Sequence, residues 1–243
     1  THRDGFYRNF FATLKAATDS CLKKIFITGV SPVTLDDLTS GFNINFNYTS
    51  YAAFNEMMGF TEKEVRAILD YYRQFQPFNH TTDELIDIIK PWYDNYCFSG
   101  RSLDRETVYN SDMVLYFVNA YIGNECLIPS DMLDTNIRID HKKLMMLVRK
   151  DRDIQTSVIQ EIVNNGKVYA LLNENFPAKN VSDRNNFISL LYYFGMLTIT
   201  GQRLRQLEFS VPNQVVREQM YDFMLESYRN EDLQLRDCDV EEM

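Results

Sequence analysis

Residues 182–214 read SDRNNFISLLYYFGMLTITGQRLRQLEFSVPNQ. An apolar run from Phe187 to Phe194 stands between a polar start and Gly195. Ser182 caps such a helix by accepting a backbone N–H, and glycine is the residue that most easily takes the left-handed backbone past a helix end. The spacing therefore predicts a helix over 186–194. Met196 to Thr200 then reads as a strand, Gly201-Gln202-Arg203 as a turn and Leu207 to Val211 as the returning strand. Pro212-Asn213 opens a last helix over 214–228. Helix, hairpin, helix is the order of a winged-helix module, and this stretch decides the fold class of the C-terminal part.

Upstream the signals are helical. Thr61 with Glu64, and Thr81 with Glu84, each have the spacing of a capping box, followed by Val65, Ile68 and Leu69 and by Leu85, Ile88 and Ile89. Pro91 is expected to end the second of these helices. Trp92 to Phe98 reads as a compact aromatic turn. Further helices are expected over 111–122, 140–151 and 153–165. Near the start, Phe6, Phe10, Phe11 and Leu14 share one helical face, which predicts a helix over 4–19 packed on a sheet. Lys23 to Val30 reads as a strand covered on both faces, because its apolar run does not alternate. Pro32 stops it, a short helix follows over 33–38, and Phe42, Ile44 and Phe46 alternate like a half-buried extended segment. The fold class expected is mainly α with a small β component.

Composition narrows the function. Of 243 residues, 45% are apolar and 14% aromatic, ample for a core, while 9 Gly and 6 Pro suit a helical chain. A net charge of −9 repels nucleic-acid phosphates at long range. Cys21, Cys97, Cys126 and Cys238 form no CxxC pair, and His2, His80 and His141 are scattered, so no zinc site is expected. No signal peptide opens the chain and no run approaches a membrane span, so the reading is cytoplasmic. Thr1 at the start and an abrupt Glu-Glu-Met end read as a piece of a longer polypeptide.

Several stretches resemble, in order, the bacterial AAA-ATPase-like family, whose members are often joined to a restriction-endonuclease-like nuclease domain. They are Ile27-Thr28-Gly29-Val30-Ser31-Pro32, Ser40-Gly41-Phe42-Asn43, Gly59 to Val65, Trp92 to Tyr96, Val108-Tyr109-Asn110, and Leu190 to Thr198 through Pro212-Asn213. The resemblance implies the end of a P-loop α/β core over 1–47, a helical lid over 48–178, a winged helix over 179–229 and an acidic tail over 230–243. It implies a nucleotide-sensing strand tip at Thr28, Gly29 and Ser31, where Thr28 or Ser31 touches the γ-phosphate of ATP or the attacking water, with Trp92, Tyr93, Asp94 and Tyr96 as lid or partner contacts. A Gly-Lys-Ser/Thr phosphate loop and an Asp-Glu strand for magnesium are absent from these residues. ATP and Mg are therefore expected only together with an upstream part, and the chain is not expected to hydrolyse ATP alone. Where the family usually has glycine, Asn95 stands; asparagine is the next-best residue for a left-handed backbone, so the turn is expected to survive. The implied partner is a protein or an attached nuclease, and a strand edge exposed at 23–30 makes self-association an expectation.

Plainer readings compete. Ser31 or Thr34 caps a helix; Trp92–Phe98 is a packed knot with Asp94 holding backbone amides. Lys142, Lys143, Arg149, Lys150, Arg152, Arg203 and Arg205 admit contacts to nucleic acid, but the helix over 186–194 offers only Asn186 and Ser189 as polar residues and reads as buried. Asp36-Asp37 and Asp83-Glu84 point apart on their helices and make no catalytic dyad. No glycine pattern marks a Ser or Cys nucleophile. The rival to the ATPase reading is a non-enzymatic protein-interaction module.

Overall fold

The computed structural model describes residues 6–29, 46–133, 152–174, 176, 180–222 and 225. Ser31, the helices expected over 33–38 and 140–151, residues 42–45, the four basic residues from Lys142 to Lys150 and the tail 230–243 lie outside them. The described residues are mainly helical, with one three-stranded antiparallel sheet.

Helix α1 (Phe6–Ala17) is followed by an irregular segment and a short 3-10 turn, Ala52–Phe54. Helices α2 (Glu62–Arg73) and α3 (Thr82–Tyr93) both start with the predicted capping boxes. Thr61 Oγ1 accepts from Glu64 N at 3.3 Å while the Glu64 carboxyl accepts from Thr61 N at 2.8 Å. Thr81 and Glu84 repeat this at 3.2 and 2.7 Å. Pro91 does not end α3, which runs on to Tyr93. A proline φ is helical, and Asp87, whose carbonyl loses its partner, faces solvent together with Lys90 and Pro91. Helix α4 (Ser111–Gly123) is capped by Asn110, which accepts from Met113 N at 3.1 Å. The inner faces of α2, α3 and α4 close a first core around Val65, Leu69, Leu85, Ile89, Phe117 and Tyr121. Each such side chain removed from water contributes roughly 1.5–3 kcal/mol.

A second core gathers α5 (Arg152–Asn165), β1 (Lys167–Ala170), α6 (Arg184–Tyr193), β2 (Thr198–Arg203), β3 (Gln206–Ser210) and α7 (residues 214–222). It groups Val158, Ile162 and Val168 with Phe187, Leu191 and Phe209, so residues 158–170 pack with the hairpin rather than with the helices before them. The sheet order is β1-β3-β2, with Val168 and Ile199 both opposite Phe209. Sequence reading does not anticipate β1: four residues give too short an alternation to register. The turn of the hairpin falls at Leu204-Arg205, not at Gly201–Arg203. Gly201 instead lies inside β2 at a register shift, close under Glu208, and Leu204 takes the turn with φ 57°. Helix α6 is capped by Asp183, one residue after the expected Ser182; its carboxyl accepts from Asn185 N and Asn186 N at 3.0 and 3.2 Å. Gly195 closes it as expected, with φ 71°, Gly195 N bonded to Tyr192 O and Met196 N to Leu191 O, both at 2.9 Å.

The N-terminal expectations need correction. Residues 24–29 form no strand, and no residue from 9 to 29 is buried, so the described part of α1 does not pack on a sheet. An extended run without a neighbouring strand has no ladder to join, and its amides are better served by water. The sheet of the described residues is antiparallel and lies elsewhere in the sequence.

Candidate functional site

Of the residues expected to sense nucleotide, Thr28 and Gly29 sit on this irregular segment and are exposed; a Cβ added at Gly29 would meet nothing within 4 Å. Ser31 is outside the described residues. Phe26 is 75% exposed and Phe46 77%. After Phe46 the exposed aromatics touch one another: Tyr48 lies edge-on to Tyr51 at 5.1 Å and tilted to Phe54 at 5.2 Å. Met57 and Met58 are exposed as well.

The second expected group lies where the two cores meet. Tyr93, Asp94 and Tyr96 are buried and Trp92 is half-buried, so the contacts of the first three are made within the chain. Asn95 has φ 77°, the left-handed backbone its sequence position suggests. The Asp94 carboxyl holds that turn: its Oδ1 accepts from Asn95 N at 2.6 Å and from Thr107 Oγ1 at 2.8 Å. On the first side, Tyr96 pairs with Val108 through bonds of 3.1 and 3.0 Å, Asn110 N donates to Tyr93 O at 2.8 Å, and Tyr93 OH donates to Met132 O at 2.9 Å. On the second side, Asn213 Nδ2 donates to Asp94 O at 3.1 Å and Asn95 Nδ2 to Pro212 O at 3.0 Å. Cys97 N donates to Thr198 Oγ1 at 2.8 Å, Ile199 N to Cys97 O at 3.3 Å, and Tyr192 OH to Phe98 O at 2.9 Å. Asn55 closes the knot from a third direction, its Oδ1 accepting from Phe98 N at 2.8 Å.

Burial sets the chemistry of this knot. It pushes the phenols of Tyr93, Tyr96, Tyr109 and Tyr192 well above their ordinary range, with Asn213 and Asn110 partly offsetting the effect at Tyr96. The Cys97 thiol is raised for the same reason. None of these groups ionises near neutral pH, so the knot offers them as structure rather than as bases or nucleophiles. The polar groups that sequence reading missed are Asn55, Thr107 and Thr198. Each is a lone small polar residue in an apolar or loop context, with no local pattern to mark it; Asn213 was legible only as a helix start.

Helix α6 is buried at every position from 186 to 192. Its polar residues turn inward: Asn186 Oδ1 accepts from Asn173 Nδ2 at 2.6 Å, its Nδ2 donates to Asn180 O at 2.8 Å, and Ser189 Oγ accepts from Asn173 N at 2.9 Å. No side chain of that stretch is placed to reach a base edge in a groove. Across the open face of the sheet, Glu208 accepts from Tyr169 OH and from Lys167 Nζ, the latter at 3.0 Å, which holds its carboxyl below the ordinary range. Among the described residues no group of three His, Cys, Asp or Glu is placed to hold a metal ion, and no helix is long and apolar enough to cross a membrane. No protein-family model matches the chain, and neither a curated protein nor a solved structure matches it.

Proposed function

We propose that this chain is the sensor, lid and winged-helix part of an AAA-like signal-transducing ATPase, a relay that does not turn over ATP by itself. The observation that carries the reading is the exposed aromatic band of Phe46, Tyr48, Tyr51 and Phe54, whose rings touch through Tyr48, while Phe26 and Ile27 are exposed as well. Apolar surface gathered in this way marks a docking face. In this reading the band receives the ATP-binding part, and Thr28 and Gly29, exposed next to Phe26 and Ile27 in the sequence, meet the phosphates that part brings. ATP and magnesium belong to that part. The strand order β1-β3-β2, with α5 before β1 and α6 before the hairpin, supports the winged-helix assignment. The buried α6 weighs against the described module reading DNA with that helix, so its partner is taken to be a protein or an attached nuclease.

A phosphate-release assay on the 243-residue chain with magnesium and ATP tests the relay assignment; release at the buffer rate is the expected result. Magnesium-dependent turnover proportional to protein concentration contradicts it. One observation favours the rival reading, a protein-interaction module without nucleotide: Thr28 and Gly29 are not held at a strand tip. In that case the same band docks a protein partner and no phosphate is sensed.

A further inference from the structure

We infer that the turn 94–98 and helix α7 lock the two cores into one body, so that the lid and the hairpin module move together and no hinge lies between them. Helix α7 belongs to both cores at once: Val215 packs in the first, Val216 and Met220 in the second. Consecutive residues on a helix point in different directions, so a helix seated between two cores fixes their relative rotation. Its first turn is anchored by Asn213, whose Oδ1 accepts from Val216 N at 3.2 Å while its Nδ2 donates to Asp94 O at 3.1 Å. Asp94 in turn is tied to Thr107 of the first unit, and the next residues to Thr198, Ile199 and Tyr192 of the second. Asp94, Asn213 and Thr198 are buried, and so is Asn55, which ties the segment before α2 to the same turn. These bonds converge on one largely buried turn of five residues, so drawing the cores apart breaks them together, and breaking one alone leaves its buried partner unsatisfied. A rotation of one core against the other would tear α7 from one of them. This inference holds for the relay and the interaction module alike, and its test does not involve nucleotide.

Hydrogen exchange measured over a urea series tests it. Amides at Leu69, Ile89 and Phe117 report the first core; Ile188, Leu191 and Phe209 report the second. The lock predicts one shared opening with the same denaturant slope for both sets. Asn213→Ala removes the cap and the bond to Asp94, and the sets are then expected to separate by roughly 5–30-fold in protection, the equivalent of one or two kcal/mol. Asn95→Gly, which keeps the left-handed turn and loses only the bond to Pro212, serves as the milder variant should Asn213→Ala fail to fold. Ile162→Val weakens the second core away from the joint and should lower both sets equally. Two different openings in the unaltered chain would overturn the inference, and so would an equal fall of both sets in both joint variants.

Discussion

Gly59→Ala perturbs a place where backbone geometry and packing both demand glycine. Gly59 has φ 116°, and a Cβ there would lie 2.7 Å from Tyr109 O and 3.0 Å from Val108 Cγ2. The first cost is the backbone: an L-residue forced to that φ loses about 1–3 kcal/mol. The second is the bridge between Phe60 and Tyr109, with bonds of 3.0 and 2.7 Å, because the Tyr109 carbonyl must move to admit the methyl. That movement costs about 0.5–1.5 kcal/mol. Alanine returns about 0.4–1 kcal/mol through the unfolded chain. The net loss lies between about 0.5 and 4 kcal/mol and centres near about 2, which at a urea slope of about 2–3 kcal/mol/M moves the midpoint down by roughly 1 M. Trp92 is the single tryptophan and packs at the edge of the first core, so its fluorescence follows the transition. Gly123→Ala is the control: nothing lies within 4 Å of its added Cβ, and in the last turn of α4 it should stabilise slightly. A Gly59→Ala midpoint within about 0.2 M of the unaltered chain would refute the reasoning.

Asn95→Ala loses the bond to Pro212 and puts alanine at φ 77°, for an expected loss of about 1–2 kcal/mol in the same urea assay, whereas Asn95→Gly should cost less; equal losses would contradict the left-handed assignment. Glu62, Glu64 and Glu208 are each held below the ordinary carboxyl value of 4.5, by Lys90 then Arg66, by the Thr61 amide and hydroxyl, and by Tyr169 then Lys167. A carboxyl with a depressed folded pKa gives stability that is present above its unfolded value and lost as pH falls through the folded one, so the urea midpoint should hold above about pH 5 and fall below about pH 4.5. Glu64→Gln, which keeps the capping box, should flatten part of that fall; a midpoint unchanged down to about pH 3 contradicts it. Thr81→Ala should cost about 1 kcal/mol by removing the cap of α3, read from the same transition.

The helices with local stop and start chemistry were legible. Thr61, Thr81 and Gly195 announce themselves through hydrogen bonds to residues three or four positions away, and Asn95 through its tolerance of the left-handed backbone. What failed depends on neighbours that local sequence does not name. Ile25-Phe26-Ile27 has the composition of an inner strand, but a strand exists only beside another, and the described residues place none there. Strand β1 is the converse: Lys167–Ala170 is weak locally and is made a strand by pairing with Gln206–Ser210, too far along the chain for any periodicity to reveal. The knot was half legible. Asp94 as an amide holder followed from turn chemistry, while its ties to Thr107, Asn213 and the second core are long-range and left no pattern.

In the relay reading a nucleotide-binding part meets the exposed aromatic band of Phe46, Tyr48, Tyr51 and Phe54. Reading the coding sequence immediately upstream of Thr1 tests that most directly. The account predicts an open frame carrying a Gly-Lys-Ser/Thr loop after an apolar strand, then a second strand ending in Asp-Glu. A frame that opens just ahead of Thr1 with no such loop would contradict it.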